Sequence, residues 1–257
     1  MAEIIVLTNQ KGGVGKTTTT SAIAAGLAGK GKKVLSVDLD PQGNLGFSLG
    51  VDSEDGHTIY EVVKKEVSVR EAICSTEDYG DVLTSNILLS EAELLLGEEN
   101  RQLVLKKILS EVEDEYDYIV IDTPPSLNIL TVNGYAAANH LIIPMASEIL
   151  SLVGLVQLKE TIEAVRNSVN PSLHVLGILL TRYNKRTNLA RDVQEMAETV
   201  AAQIGTELFE SKIRTGVAAA EAPAHGLSIY DYARRSNPSK DYRDFVEEVL
   251  KKINKQA

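Results

Sequence analysis

A glycine-rich turn near the beginning of the chain constrains the fold more than any other feature. Residues 8–20 read TNQKGGVGKTTTT, and they join the apolar run Ile4–Leu7 to a helical pattern over Thr17–Lys30 that stops at Gly31. A β-strand, a glycine-rich turn and a helix in this order form the context of a phosphate-binding loop. Glycines let the backbone approach an anion closely, and the N-terminus of the following helix attracts negative charge.

The turn departs from the usual phosphate-loop pattern at one position. In G-x-x-x-x-G-K-[ST], the last three places are taken by Gly15, Lys16 and Thr17, but Gln10 stands where the first glycine is expected. Lys11 adds a second lysine to the loop. We predict that the nucleotide-binding residues are Gly12, Gly13, Val14, Gly15, Lys16, Thr17 and Thr18.

Apolar strands alternate with helical patterns along the rest of the chain. This alternation predicts an α/β fold of the P-loop NTPase type, with a twisted, mostly parallel sheet flanked by helices on both faces. The strands are expected at Ile4–Leu7, Val34–Val37, Val82–Thr84, Tyr118–Ile121, Leu141–Ile143 and Val175–Leu180. Helices are expected at 127–138, 149–168, 187–204 and 239–254, with 58–113 mostly helical and a capping box at Ser90 and Glu93. No linker-like stretch interrupts the pattern, so residues 1–257 are predicted to form a single domain.

Two acidic motifs follow predicted strands. The motif SVDLDPQGN carries Asp38 and Asp40, and YIVIDTPPS carries Asp122. In such sheets ligands bind outside the carboxyl ends of the strands, so these carboxylates are expected near the phosphate loop. Asp122 is the expected partner of a metal-bound water, and the Thr17 hydroxyl is an expected Mg²⁺ ligand. Taken alone, Asp38 or Asp40 is equally compatible with a turn or helix cap.

Composition excludes several other classes of protein. The single cysteine, Cys74, rules out an internal disulfide framework and a four-cysteine metal site within one chain. The first residues lack the basic and apolar regions of a signal peptide, and no apolar run is long enough for a transmembrane helix. The net charge of −10 argues against a general polycation, although a local basic patch remains compatible with DNA binding.

The motifs KGGVGKTT, VDLDPQGN and IDTPPS, in this order and spacing, resemble the deviant Walker A ATPases of the MinD/ParA superfamily. The resemblance is to the ParA/Soj family of chromosome and plasmid partitioning ATPases. It extends through NILLSEAEL, LLTRYNKRTNL and EAPAHG, and so covers nearly the whole chain.

The resemblance implies roles for particular residues. Lys11 is expected to reach the nucleotide of a second subunit, so that ATP and Mg²⁺ drive formation of a sandwich homodimer. Lys11, Gly12 and Glu148 are then expected at the dimer interface. Asp40 is expected to position the attacking water and to contribute to the metal site with Thr17 and Asp122. The implied catalytic residues are Lys11, Lys16 and Asp40.

Relatives of this kind differ in what the ATP-bound dimer binds. Iron–sulfur scaffold relatives use paired cysteines, which this chain lacks. MinD-type relatives bind membranes through a C-terminal amphipathic helix, which needs a basic polar face. The tail DYRDFVEEVLKKINKQA has an apolar stripe, but acidic and basic residues mix on its polar face. A terminal helix packed on the domain is therefore favoured, and no membrane partner is expected.

Charge distribution favours DNA as the partner. Residues 182–243 carry ten Lys/Arg and eight Asp/Glu, a local basic surplus within an acidic chain. Phosphate contacts from such a patch give binding without sequence preference. The resemblance points to Arg186 in KRTNL, and we add Arg214 and Arg235 as DNA-binding candidates. The stretch IRTGVAAAEAP, residues 213–223, departs from the family's usual IPRNVRLSEAP, which makes Arg214 a displaced counterpart.

The sequence thus predicts a weak cytoplasmic, nucleoid-associated ATPase of DNA segregation. Hydrolysis is expected to be stimulated by a ParB-type centromere-binding protein, with release of the dimer from DNA. Two alternatives are a MinD-like membrane-associated positioning ATPase and a ParA-like protein that positions a cargo other than DNA.

Overall fold

A seven-stranded sheet forms the centre of the protein, in the order β3-β4-β2-β5-β1-β6-β7. The computed structural model describes residues 1–51, 56–91, 96, 100–148 and 150–255. All neighbouring strands are parallel except β3 and β4, which pair antiparallel at one edge. The strands are β1 Glu3–Leu7, β2 Val34–Asp38, β3 Ile73–Ser75, β4 Asp81–Leu83, β5 Tyr118–Asp122, β6 His140–Ala146 and β7 His174–Thr181.

Helices connect the parallel strands. Those in the described part of the chain are α1 Lys16–Ala28, α2 Asn44–Ser48, α3 Ile59–Val63, α4 Val69–Ala72, α5 Val104–Leu109, α6 Ile129–Ala137, α7 Leu150–Ser168, α8 Asn188–Ile204, α9 Ala218–Glu221, α10 Ile229–Tyr232 and α11 Asn237–Asn254. Side-chain caps begin several of them, since Asn128, Thr187 and Ser236 accept backbone N–H groups of the first turns of α6, α8 and α11. None of these helices is both long and apolar enough to cross a lipid bilayer.

Both faces of the sheet are covered, as predicted. In β1, Ile4 and Val6 belong to one hydrophobic cluster, and Ile5 and Leu7 belong to the cluster on the opposite face. A strand buried on both sides needs apolar residues at successive positions, which explains its unbroken apolar run. The predicted fold class is confirmed.

The segment 58–113 is less helical than predicted. Among the described residues of this segment, the short helices α3, α4 and α5 and several 3₁₀ turns form, and the edge strand β3 was not predicted. This strand exists because it pairs with β4 across a turn that ends at Gly80. A Cβ at Gly80 would lie 2.5 Å from the Val34 carbonyl oxygen, so the turn packs directly on β2. Such tertiary pairing leaves no signal in local helical periodicity. The predicted capping box includes Glu93, which lies outside the described residues.

The C-terminal third completes the face that carries α1. The apolar side chains of α11, including Phe245, Val246 and Val249, are buried in the same cluster as Ile23 of α1. Residues 207–214 run alongside the edge strand β7, with Phe209 N–H donating to the Ile178 carbonyl at 3.0 Å. The apolar stripe of the tail thus packs on the domain, as the charge pattern favoured.

Candidate nucleotide-binding site

A cavity of about 740 Å³ opens at the carboxyl ends of the parallel strands. Its floor is the turn between β1 and α1, and its sides come from the loops after β2, β5 and β7 and from the C-terminal third. Its volume is in the range of small-molecule sites. The lining residues are Gly12–Thr18, Asp40, Gln42, Asn44, Pro125, Thr181, Arg182, Ile213–Val217, Ala219, Ala220 and Tyr242.

The glycine-rich turn has the backbone that an anion-binding loop requires. Gly13 and Gly15 have φ values of +73° and +91°, where side chains are disfavoured. A Cβ at Gly12 would meet no atom within 4 Å, so the loop there faces open space. The loop is held to the sheet, because Thr181 Oγ1 donates to the Val14 carbonyl at 2.8 Å. The predicted residues Gly12–Thr18 therefore meet in one cradle with room for a phosphate group.

Lys16 lies buried at the base of the cradle. Its ammonium donates to the Lys11 carbonyl at 3.3 Å. Burial lowers the pKa of Lys16, while the nearby Asp122 and Asp40 carboxylates oppose that shift. A lysine held in this way is a cation that a polyphosphate would reach on entering the cavity.

Asp122 and Thr17 lie together at the end of β5 and the beginning of α1. Thr17 Oγ1 donates to Asp122 Oδ2 at 2.5 Å, and Thr20 Oγ1 donates to Oδ1 at 3.3 Å. Burial raises the pKa of Asp122 to about 7, although the Thr17 hydrogen bond and Lys16 lower it. A carboxylate and a hydroxyl oxygen beside a phosphate cradle fit Mg²⁺, which takes one or two protein oxygens together with substrate phosphates. The residues present therefore fit the metal, with Thr17 and Asp122 as the groups that would hold it or its bound water.

The two aspartates of the DLDPQGN segment have different positions. Asp38 is fully buried, and its carboxylate accepts the N–H groups of Asp40 and Leu45, each at 2.9 Å. Burial and the neighbouring Asp122 raise the pKa of Asp38, while these two backbone donors lower it. Asp38 therefore anchors the loop, whereas Asp40 lies at the cavity and accepts Gln42 N–H at 3.1 Å. The roles of Asp40 in positioning water and at the metal site stay predictions.

Lys11 is directed to the rim of the cradle rather than to its base. Its ammonium lies 2.6 Å from Glu148 Oε2, and this ion pair lowers the pKa of Glu148. The structure thus brings together two of the three residues predicted for the dimer interface, with Gly12 exposed beside them. Their interface roles stay predictions.

The three DNA-binding candidates do not share one environment. Arg186 is exposed in the turn before α8, and Arg235 is exposed just before α11. Arg214 instead makes a bidentate ion pair with Asp241 on α11, with Nε to Oδ2 at 2.9 Å and Nη2 to Oδ1 at 2.5 Å. Arg214 is thereby committed to a partner within the chain. The three DNA contacts stay predictions.

The stretch 213–223, which the sequence analysis singled out for its departure from the family pattern, supplies the far wall of the cavity. Ile213–Val217 form this wall, and Tyr242 also lines the cavity, with its hydroxyl 3.1 Å from Thr19 Oγ1 of α1. Arg182 also lines the cavity, although the sequence placed it only among general basic residues. The wall leaves little local signal, because its partners are distant in the chain.

A close crossing of two glycines joins this wall to the Asp40 loop. Gly50 ends the segment that follows Asp40, and Gly226 ends the EAPAHG motif. Both have positive φ, and a Cβ at Gly226 would lie 2.9 Å from the Gly50 Cα. The close approach of the two backbones therefore explains why the last residue of EAPAHG is a glycine.

Comparisons with known proteins agree with this geometry. Residues 2–175 match the AAA_31 family model, described as an AAA domain. The chain is 40% identical over 252 residues to the chromosome-partitioning ATPase Soj of Treponema pallidum, covering 97% of this chain and 98% of that one. It is 39% identical over 255 residues to the chromosome partitioning protein ParA of Myxococcus xanthus, covering 98% and 89%.

Solved structures share the fold. A Mycobacterium smegmatis protein described as cobyrinic acid a,c-diamide synthase, solved with ADP and magnesium, superposes with a TM-score of 0.87 at 34% identity, over 100% of this chain and 97% of that chain. The cell division ATPase MinD of Pyrococcus furiosus gives a TM-score of 0.77 at 26% identity, over 100% of both chains.

A phosphate cradle with a buried lysine, a carboxylate–hydroxyl pair and a mostly parallel sheet define a P-loop ATPase. The full-length similarities narrow this class. The chain belongs to the ParA/Soj-type partitioning ATPases of the MinD/ParA superfamily.

Proposed function

We propose that this chain is a DNA-partitioning ATPase in which Mg²⁺-ATP joins two copies into a sandwich dimer. The dimer binds double-stranded DNA without sequence preference and associates with the nucleoid. A ParB-type centromere-binding partner stimulates hydrolysis, which releases the dimer and moves chromosome or plasmid DNA. The similarity to Soj and ParA over nearly the full length supports this proposal.

The observation that carries the proposal is the placement of two lysines in one phosphate loop. Lys16 is buried at the base of the cradle, whereas the Lys11 ammonium lies at the rim on Glu148. A cation at the rim is accessible to a nucleotide held by an opposed copy. Two ATP molecules facing each other repel, and a cation supplied by the other subunit offsets that charge, as an arginine finger does. ATP then favours the dimer because the triphosphate interacts with it more strongly than the diphosphate.

The chain's own residues supply the rest of the chemistry. The loop amides and Lys16 would bind the phosphates, and Thr17 and Asp122 would hold Mg²⁺, which would offset phosphate charge when bound. Asp40, presented at the cavity by the loop that Asp38 anchors, orients the attacking water.

The proposed DNA surface includes the exposed residues Arg186 and Arg235. Such side chains contact phosphates, so binding is expected to weaken steeply with salt. Arg214 contributes less, because its guanidinium is already paired with Asp241.

The test is binding to random-sequence duplex DNA at several salt concentrations, with ATP or ADP. Asp40→Ala holds the ATP state, because it should bind ATP and dimerise but hydrolyse poorly. Lys16→Ala should bind neither ATP nor DNA. ATP-dependent, salt-sensitive binding that is indifferent to sequence is the expected result. Equal binding with ATP and ADP would contradict the nucleotide switch.

A matched pair of variants separates a DNA contact from a general charge effect. Arg186→Ala and Lys185→Ala each remove one exposed charge from the same turn. Arg186→Ala should reduce the salt slope by about one phosphate contact, and Lys185→Ala should reduce it by less. Absence of DNA binding in both nucleotide states, with binding to anionic vesicles in ATP, would instead support a MinD-like protein.

A further inference from the structure

The backbone of Arg182, directly after β7, is held in a left-handed conformation. Its φ is +49°, a region that favours glycine and disfavours side chains. Strained residues of this kind persist only where the surroundings fix them, and they concentrate at functional sites. The fold described above does not explain why an arginine is present at position 182.

Hydrogen bonds on both sides fix this conformation. The Thr181 carbonyl accepts Ser147 N–H at 3.1 Å, and Tyr183 N–H donates to the Ile213 carbonyl at 2.9 Å. The Thr181 hydroxyl is bound to the phosphate loop through Val14. The position of Arg182 is therefore set by the phosphate loop on one side and by the far wall of the cavity on the other.

The Arg182 side chain lies over the glycine-rich turn. Its Nη2 is 4.0 Å from the place where a Cβ of Gly13 would be, which is an ordinary van der Waals distance. The side chain is exposed and lines the cavity. Among the residues that the structure describes, it makes no hydrogen bond or ion pair. The guanidinium is thus available to a ligand.

We propose that Arg182 packs its guanidinium against the base of the bound nucleotide. This inference deepens the proposed ATP site and rests on it. With the phosphate groups in the cradle, the nucleoside extends toward the far wall, and Arg182 lines the same cavity beside the cradle. A planar guanidinium stacks on an aromatic face, and its stem covers apolar surface. Tyr242 serves less well, because its ring is buried and its hydroxyl is bound to Thr19.

The test compares a nucleotide with a phosphate chain that has no base. Calorimetry would measure ADP and inorganic tripolyphosphate, each with Mg²⁺, on the parent, Arg182→Ala and Arg182→Lys. Arg182→Ala should weaken ADP about tenfold, as expected for a lost cation–aromatic contact. Tripolyphosphate should change by less than about twofold. Arg182→Lys should retain part of the ADP affinity, because an ammonium can still lie over an aromatic face but lacks the planar stacking surface.

A control and two outcomes make the proposal falsifiable. Lys185→Ala removes an exposed charge nearby and should leave both affinities unchanged. An unchanged ADP affinity in Arg182→Ala would overturn the proposal. An equal loss for tripolyphosphate would also overturn it, because Arg182 would then contact phosphate. ADP binding requires neither dimer nor DNA, so this test can be interpreted even if the partitioning function fails. Failure of the parent to bind ADP would refute the proposed ATP site.

Discussion

The crossing of Gly50 and Gly226 gives a prediction whose size follows from the structure. In Gly226→Ala, the new Cβ would lie 2.9 Å from the Gly50 Cα and 3.4 Å from its nitrogen. The first atom is backbone and cannot rotate away, so one segment must move. The residue also has a φ of +61°. Left-handed backbone costs about 1–2 kcal/mol for a non-glycine residue, and overpacking costs about 1–3 kcal/mol. The free energy of unfolding should therefore fall by about 2–5 kcal/mol.

Gly205 provides the matched control. It ends α8 with a φ of +76°, but a Cβ there would meet no atom within 4 Å. Gly205→Ala should lower the free energy of unfolding only by the cost of the left-handed backbone, about 1–2 kcal/mol. Urea titration of both variants under the same conditions measures the two losses, and their difference isolates the backbone contact. Equal losses of unfolding free energy would refute the reasoning, since they would show that the contact between Gly50 and Gly226 adds no cost.

A double variant tests the same contact from its other side. Gly50 has a φ of +73°, and a Cβ there would lie 3.0 Å from the Gly226 carbonyl oxygen. Once Gly226→Ala has separated the segments, Gly50→Ala should cost less than it does in the parent. Contacting residues show such coupling, whereas distant sites add. Strict additivity of the two losses would count against direct contact.

Three further predictions concern buried and paired charges. Asp38→Ala removes two backbone hydrogen-bond acceptors and should lower the free energy of unfolding in urea by about 2–4 kcal/mol, whereas no loss would show that the loop finds other partners. Asp241→Ala leaves the half-exposed Arg214 unpaired and should lower the free energy of unfolding by about 1–3 kcal/mol. Calorimetry should also show weaker ADP binding, because the cavity wall loosens. If both values are retained, the ion pair stabilises neither the fold nor the cavity. Burial lowers the pKa of His140 and of His174, so the unfolded chain binds more protons and stability should decrease as pH falls below 6.5. Replacing both histidines with glutamine should flatten that part of the stability curve, and an unchanged curve would assign it to other groups.

Much of the fold was predictable because its central strands are buried on both faces. Continuous apolar runs between helical patterns marked β1, β2, β5, β6 and β7 without any knowledge of pairing. The edge strand β3 was not predicted, because it forms by pairing with β4 and its own three residues carry no strand pattern.

The phosphate cradle was predictable because its chemistry is local. Gly13, Gly15, Lys16 and Thr17 are neighbours in sequence, and the hydrogen bond from Thr17 to Asp122 follows from two strand ends meeting at one edge. The spacing of Asp38 and Asp40 alone, in contrast, could not separate their roles, and only the family resemblance pointed to Asp40. One is buried beneath the loop, and the other is on its cavity side.

The distant contacts left no readable pattern. The ion pair of Arg214 joins an irregular loop to a helix, and charge type alone does not identify Asp241 as its partner. The contact of Gly226 with Gly50 likewise joins two turns that only the complete fold brings together.

The order in which the cavity is built along the chain has a consequence for synthesis on the ribosome. The cradle at Gly12–Thr18 emerges first, but the other lining residues Ile213–Val217 and Tyr242 emerge near the end. A nascent chain that already contains the sheet therefore presents the glycine-rich turn without the far wall of the cavity. Nucleotide held by the whole cavity can stabilise the protein only after α11 has left the exit tunnel and docked. Premature termination before this helix would leave a product that ATP cannot rescue from degradation.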